Sequence, residues 1–377
     1  MIRARSDLAQ VRRIVVKIGS SLLADSNSGI RSDTVQRLAA EVAALRARGI
    51  EVALVTSGAV ALGRVRLGWV GRKLSVHEKQ AAAAVGQPML MHAYNEAFAA
   101  HEIATAQLLL TKDDLRNRRR YLNANNTGET LFSAGVLPIV NENDTVVVEE
   151  IKFGDNDSLS ALVGLLLDAD LVVMLTDVDG LFDANPNSNP AAKRISDVAA
   201  LGPEIFAMAG DAGSHFGTGG MTSKLRASKV ATRGGVCTAI VNGRVEQSLS
   251  RLLTGEDVGT LFLCGEDRQS RRRHWIVDIL KPAGAIHVDS GAARAIVERG
   301  SSLLPVGVTA VEGIFDKGEC VEIRAAGAAI ARGLCNYNAE EMRRLIGVAS
   351  HEIEAVLGYS DFTSVIHRDN LVLHSDQ

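Results

Sequence analysis

Short apolar runs alternate along the chain with longer segments whose apolar residues return every third or fourth position. The run RRIVVKI at 12–18 reads as a buried parallel strand closed by the turn GSS. Val35, Leu38, Val42 and Leu45 then fall on one helical face. Ser32 or Asp33 can cap that helix, and Gly49 ends it. EVALVTSG at 51–58 predicts a second strand. The alternation continues with a helix over 76–100, a strand over 103–110, a helix near 119–134 and the strand VLPIV at 136–140. A helix from Ser158, the strand LVVMLT at 171–176, a helix near 222–234 and the strand CTAIV at 237–241 complete it. This order predicts an α/β fold with a mostly parallel sheet between helix layers. Ligands of such sheets bind beyond the carboxyl ends of the strands. The polar turns that follow strands are therefore the places where chemistry is expected.

The texture changes at GEDRQSRRRH, 265–274, which is charged and reads as a linker. Beyond it short β-like runs such as GAIHVD and CVEIRA are punctuated by glycine. The expected organisation is one domain over 10–264, a linker over 265–274 and a small, mostly β domain over 275–377. The length of 377 residues suits two domains, and a hydrophobic fraction of 46% can fill a core in each.

Charge and composition exclude several classes. The net charge is −3, so no global field draws the chain to nucleic acid or an anionic membrane. Aromatics make up only 4%, which does not advertise a base-stacking surface. No apolar run approaches the length of a membrane span. The start MIRARSDLAQ has no apolar signal core, so a cytoplasmic location is expected. Cys237, Cys264, Cys320 and Cys335 are widely spaced and form no C-x-x-C pair. They read as free buried thiols, and no metal site is expected from them.

Five turns carry candidate chemistry, and one of them, TDVDGLFDANP after the strand LVVMLT, is either a plain turn or a nucleotide contact. Lys17 lies inside a buried strand, where an ammonium is costly unless it meets an anion, and Gly19 offers backbone amides beside it. Ser57 and Gly58 could serve a carboxylate, or Ser57 could be a plain helix cap. The loop NENDTVVVEEIKFGDNDSLS at 141–160 collects Asn141, Glu142, Asn143, Asp144, Asp155, Asn156 and Asp157. That is more acceptors than turn chemistry needs, and it suggests a site that reads an ammonium or positions lysines. Asp157 could also cap the helix at Ser158. Finally, HFGTGGMTSK at 215–224 is rich in glycine, yet it lacks the Gly-Lys of a nucleotide P-loop. Lys224 falls in the first turn of a helix, where the dipole disfavours a cation unless an anion is present. Lys17 and Lys224 could together flank a transferring phosphoryl group.

With VVKIGSS, VTSGAVALG, RYLNANNT, VLPIVNENDTV, KFGDNDSLSALV, LLTDVDGLFDANP and GTGGMTSKL in place, the chain resembles the amino acid kinase superfamily. Within it, NEND, GDNDSLSA and GTGGMTSKL resemble the glutamate 5-kinase family. GAIHVDSGAARAIVERGSSLLPVGV and VLGYSDFTSVIHRDNLVL resemble a C-terminal PUA domain. The resemblance implies phosphoryl transfer from ATP, with Mg²⁺ held mainly through the ATP phosphates, to the side-chain carboxylate of L-glutamate, a first step towards proline. It implies that Lys17 and Lys224 stabilise the transferring group and that Asp157 holds both lysines. It places Ser57, Asp144 and Asn156 at the glutamate. Thr176, Asp177 and the run Thr218, Gly219, Gly220, Met221, Thr222, Ser223 and Lys224 match its ATP positions. It further implies proline as a feedback inhibitor, a homo-oligomer (dimer or tetramer) and a reductase that receives the labile product. Phe182 and Asp183 stand where the family commonly has Tyr and Thr.

Two alternatives are weighed. An N-acetylglutamate or aspartate kinase would share the machinery, but an acetylated amine would not need Asp144. An RNA-binding role through the PUA domain meets 12 Lys and Arg against 14 Asp and Glu from Arg271 onward, a net of −2 that lacks the expected basic excess.

Overall fold

The computed structural model describes residues 2–25, 29–146, 156–186, 188–209, 220–265 and 280–374. The chain divides into two compact units. The first comprises Met1–Lys112 and Ala124–Glu266.

Its eight-stranded sheet has Arg13–Ile18 at the centre, between Glu51–Val55 and Leu171–Thr176. Outside Glu51–Val55 lie Leu137–Glu142 and then Thr105–Leu110. Outside Leu171–Thr176 lie Cys237–Asn242, Thr260–Phe262 and Asp197–Val198. The pairings are parallel except that of Thr260–Phe262 with Cys237–Asn242. Ile14, Val15 and Val16 are fully buried, as a strand covered on both faces requires. Strands up to Glu142 build to one side of Arg13–Ile18, and those from Leu171 build to the other. The order therefore reverses beside Lys17, where doubly wound sheets open a crevice.

The helix predicted from Val35, Leu38, Val42 and Leu45 spans Ser32–Ala47 and buries all four. Its cap is Arg31, not Ser32 or Asp33. A small hairpin, Ala24–Asp25 with Gly29–Ile30, precedes it. The Arg31 N–H donates to the Leu23 carbonyl at 2.8 Å, so the chain turns into the helix one residue early.

Helix Ala59–Arg66 lies directly on helix Val76–Ala99. Two glycines allow this contact. A Cβ on Gly63 would stand 1.7 Å from the Ala82 carbonyl oxygen, and one on Gly86 would stand 1.8 Å from that of Ala59. The opposing atoms are backbone, so no side-chain adjustment can make room.

The N-terminal residues, to which the sequence assigns no role, tie the unit together. Leu8 is fully buried. The Arg5 guanidinium donates to the carbonyls of Ser196, Glu256, Val258 and Gly259 and pairs with Asp197 at 2.9 Å.

The cysteine expectation needs correction. Cys237 and Cys264 form a disulfide, while Cys320 and Cys335 are buried thiols. Spacing along the chain concealed the pairing. The antiparallel register sets Phe262 opposite Thr238, which brings the two Cα atoms within 4.7 Å.

The second unit comprises Asp113–Asn123 and Asp267–Gln377. Its five-stranded sheet runs Val308–Gly313, Gly284–Val288, Cys320–Ala325, Ala328–Leu334, Leu371–Leu373. Only Gly284–Val288 and Cys320–Ala325 pair in parallel. Ile286, Phe315, Val321, Ile323 and Tyr337 form its core. The mostly β expectation holds for the sheet, but helix Ser290–Arg299, capped by Asp289, also packs there. No described helix is long and apolar enough to cross a membrane.

Gly86→Ala should destabilise the protein by about 2–3 kcal/mol, because the added methyl must push the facing backbones apart. Urea denaturation measures this. A variant as stable as the parent would refute the close approach.

Candidate functional site

The predicted residues gather at the carboxyl edge of the parallel sheet. Lys17 is the penultimate residue of the central strand, in register with Val55 on one side and Met174 on the other. Thr56 and Ser57 follow Val55, Asn141 and Glu142 close their strand, and Thr176 and Asp177 follow Leu175. Two helices begin at the same edge, Asn156–Leu166 and Met221–Arg233, and pack on one another. Both point positive dipole ends into the crevice.

At the centre is an ion triad. Asp157 Oδ1 lies 2.6 Å from Lys17 Nζ, and its Oδ2 lies 3.2 Å from Lys224 Nζ. The carboxylate is 1% exposed and each lysine side chain 7%. Ser223 Oγ donates to Asp157 Oδ2 at 2.5 Å and lies 2.9 Å from the Gly220 carbonyl. Burial pushes the Asp157 carboxyl up, but the two lysine charges and the hydrogen bonds from Lys17 and Ser223 outweigh it and hold it at about 2. Asp157 is thus no helix cap. The helix starts at Asn156, and the Asp157 side chain supplies the anion that explains both a lysine in a buried strand and a lysine in a helical first turn.

Beside the triad runs a cluster of amides. Asn156 Nδ2 faces the Thr56 carbonyl at 2.7 Å, Ser57 Oγ at 2.8 Å and Asn141 Oδ1 at 3.2 Å. Thr56 Oγ1 in turn meets the Tyr94 hydroxyl at 2.9 Å. A neighbouring cavity of about 300 Å³ is lined by Gln87, Gln107, Glu142, Asp144 and the edge of helix Val76–Ala99. Asp144 is half-buried. Burial and the nearby charge of Glu142 raise its carboxyl to about 7.

Thr176 is buried, with its hydroxyl 3.3 Å from Asp177 Oδ1. Asp177 is more open and reaches Arg244 at 3.9 Å. Thr176 is in register with Asn242, which lines a second cavity of about 380 Å³ together with Asp179, Phe182, Val245 and Gly259. Gly220 caps helix Met221–Arg233 in an extended conformation, and a Cβ there would meet nothing within 4 Å. The described residues leave room for a side chain at that position. Met221 and Thr222 open the helix, with Ser223 and Lys224 in its first turn. Thr218, Gly219 and Asp155 lie outside the described residues, as does the linker from 266 to 274. Sequence reasoning missed Thr56, Tyr94, Gln87 and Gln107. The only trace was a glutamine interrupting the apolar strand TAQLLL.

The donor set suits polyphosphate better than a bare metal ion. The described residues hold no group of three His, Cys, Asp or Glu side chains able to ligate a metal. Asp157 is committed to two lysines. Two helix N-termini and two lysines at one edge have the chemistry to hold the phosphates of a nucleotide that brings its own Mg²⁺.

The amino acid kinase family model matches residues 12–242 and the PUA domain model residues 284–357. The chain is 51% identical over 370 residues to a glutamate 5-kinase of Trichlorobacter lovleyi, with 98% of each chain covered. It is 52% identical over 367 residues to one of Geobacter sulfurreducens, covering 97% of this chain and 98% of that one. To one of Chromohalobacter salexigens it is 50% identical over 373 residues, with 98% of each covered.

Asp157→Asn would remove the carboxylate that two buried ammonium groups share and should cost about 3–5 kcal/mol of stability by denaturant titration. Because the folded carboxyl titrates at about 2, below its ordinary 3.8, its stabilising contribution is complete above pH 4. It is lost as pH falls from about 4 to about 2, and the Asn variant should lack that segment of the stability curve. An unchanged acid limb in the variant would show that Asp157 is not held by the lysines.

Proposed function

Since the chain belongs to the amino acid kinase family and, within it, to the glutamate 5-kinases, we propose that it phosphorylates the side-chain carboxylate of L-glutamate at the expense of ATP. The observation that carries this reading is the convergence of Lys17 and Lys224 on one buried carboxylate at the switch point of the sheet.

A carboxylate oxygen of glutamate attacks the γ-phosphorus. A new P–O bond forms as the bond to the β-phosphate bridging oxygen breaks, and the bond electrons leave with ADP. The nucleophile is already an anion, so no general base is required. The transition state spreads charge over the phosphoryl oxygens, and positioned cations supply most of the rate. Lys17 and Lys224 do this as compact point charges, while Asp157 keeps both ammonium groups at the reacting end of the crevice. When bound, Mg²⁺ neutralises some of the charge on the phosphates. Ser57, Asp144 and Asn156 hold the glutamate, with Asp144 paired to its ammonium. Thr176, Asp177 and the Gly220–Lys224 turn serve the nucleotide, and the cavity beside Phe182 receives its base. The product, glutamyl 5-phosphate, is the first intermediate towards proline.

With ATP, Mg²⁺, glutamate and hydroxylamine, the protein should yield the hydroxamate of glutamate. Turnover of aspartate or N-acetylglutamate in its place would overturn the substrate assignment. Lys224→Ala should lower kcat by two or more orders of magnitude while shifting the glutamate KM only slightly. An effect confined to that KM would remove Lys224 from the phosphoryl group. Below about pH 7 Asp144 is neutral and pairs poorly with an ammonium. The kcat/KM for glutamate should therefore rise through about pH 7, and the step should vanish in Asp144→Asn. A step that persists in the variant belongs to another group.

A further inference from the structure

Four amide side chains form a single line from the surface of helix Val76–Ala99 to the floor of the site. Gln87 Nε2 donates to Gln107 Oε1 at 3.2 Å, Asn141 Nδ2 to Gln87 Oε1 at 2.8 Å, and Asn156 Nδ2 to Asn141 Oδ1 at 3.2 Å. The direction of this chain is not arbitrary. The backbone carbonyl of Thr56 can only accept, so the Asn156 atom facing it must be nitrogen. Asn141 must then offer oxygen to Asn156 and nitrogen to Gln87, and Gln87 must offer nitrogen to Gln107. Every amide in the line is polarised by that one carbonyl at its inner end.

The inner end has a consequence. Asn156 shares its two N–H groups among three acceptors, and its Oδ1 is buried with no hydrogen-bond partner among the described residues. A buried acceptor left without a donor is costly, and this one belongs to a residue placed at the substrate. Asn156 thus offers oxygen, which takes a donor such as an ammonium and repels a carboxylate.

We propose that Gln87, with Gln107 behind it, is a positioning residue for substrate recognition, and that it locks Asn141 and Asn156 in the orientation that presents Asn156 Oδ1 to the substrate ammonium. This rests on the glutamate kinase reading of the site. Asn141 is 2% exposed, and without Gln87 its N–H₂ group would have no acceptor there. If the Asn141 amide flipped to find one, nitrogen would face nitrogen at Asn156, and the recognition geometry would loosen. Gln87 reaches this position from the helix that Gly86 presses onto Ala59, so the close helix contact and the amide line share one anchor.

The test is steady-state kinetics on the full-length enzyme, with glutamate and ATP varied separately. Gln87→Leu removes the acceptor and should raise the glutamate KM about tenfold, leaving the ATP KM within about twofold. Gln87→Glu still accepts from Asn141 and should recover the KM to within about threefold of the parent. A purely structural role would lower the melting temperature in both variants without this split. Gln107→Leu loses only the outermost link and should raise the glutamate KM about threefold. It also provides the test if Gln87→Leu does not fold. Unchanged glutamate KM values in Gln107→Leu and in any folded Gln87→Leu overturn the proposal, as does a Gln87→Glu variant as impaired as Gln87→Leu. A parent enzyme that does not turn over glutamate at all would instead refute the reading on which the proposal rests.

Discussion

The most demanding feature of the first unit is a buried group of two ammonium ions that share one carboxylate. Taking three charges out of water is expensive, and one carboxylate offsets only a fraction of the cost. Much of the first unit can be understood as support for this arrangement. The central strand delivers Lys17, the helix after the acidic loop delivers Asp157, and the helix after the glycine-rich stretch delivers Lys224. The two helices pack on each other, which holds the carboxylate beside the second lysine.

Beside the charged centre the protein uses neutral groups. Amides and hydroxyls from Thr56, Ser57, Asn141 and Asn156 read shape and hydrogen-bond polarity rather than charge. This division suits a reaction between two anions. In the proposed reaction the charged half would lower the repulsion between them, and the neutral half would choose the acceptor without adding another fixed charge. Asp144 lines the neighbouring cavity with Gln87 and Gln107, its carboxyl raised by burial and by Glu142.

Much of this was legible in the residues. The alternation of buried runs and helical faces located the strands that carry the site, because strands covered on both faces leave a continuous apolar signature. Lys17 stood out because a lysine in such a run needs a partner. The residues alone did not single out the partner, since Asp157 also fitted a helix cap; the family resemblance named it, and the two roles differ only in three dimensions. The line from Gln107 to Asn156 left almost no trace, because it is assembled from four elements and each glutamine alone resembles a surface residue. The Cys237–Cys264 pair was hidden for the same reason: it depends on the one antiparallel pairing in an otherwise parallel sheet. The short strands Asp197–Val198 and Thr260–Phe262 were too brief to show a period.

The strap made by Arg5 bears on how the first unit comes into being. Its guanidinium reaches the carbonyl of Gly259, 254 positions along the chain, and the central strand that follows it pairs with Leu171–Thr176. Contacts of such long sequence separation are slow to form, since a large loop must close before any of them stabilises the chain. A polypeptide emerging from the ribosome N-terminus first must hold its opening residues in waiting until the last strands of the unit have been made. The strap is accordingly completed late in synthesis, and truncation before Ser196 would leave Arg5 without any of the groups it grips.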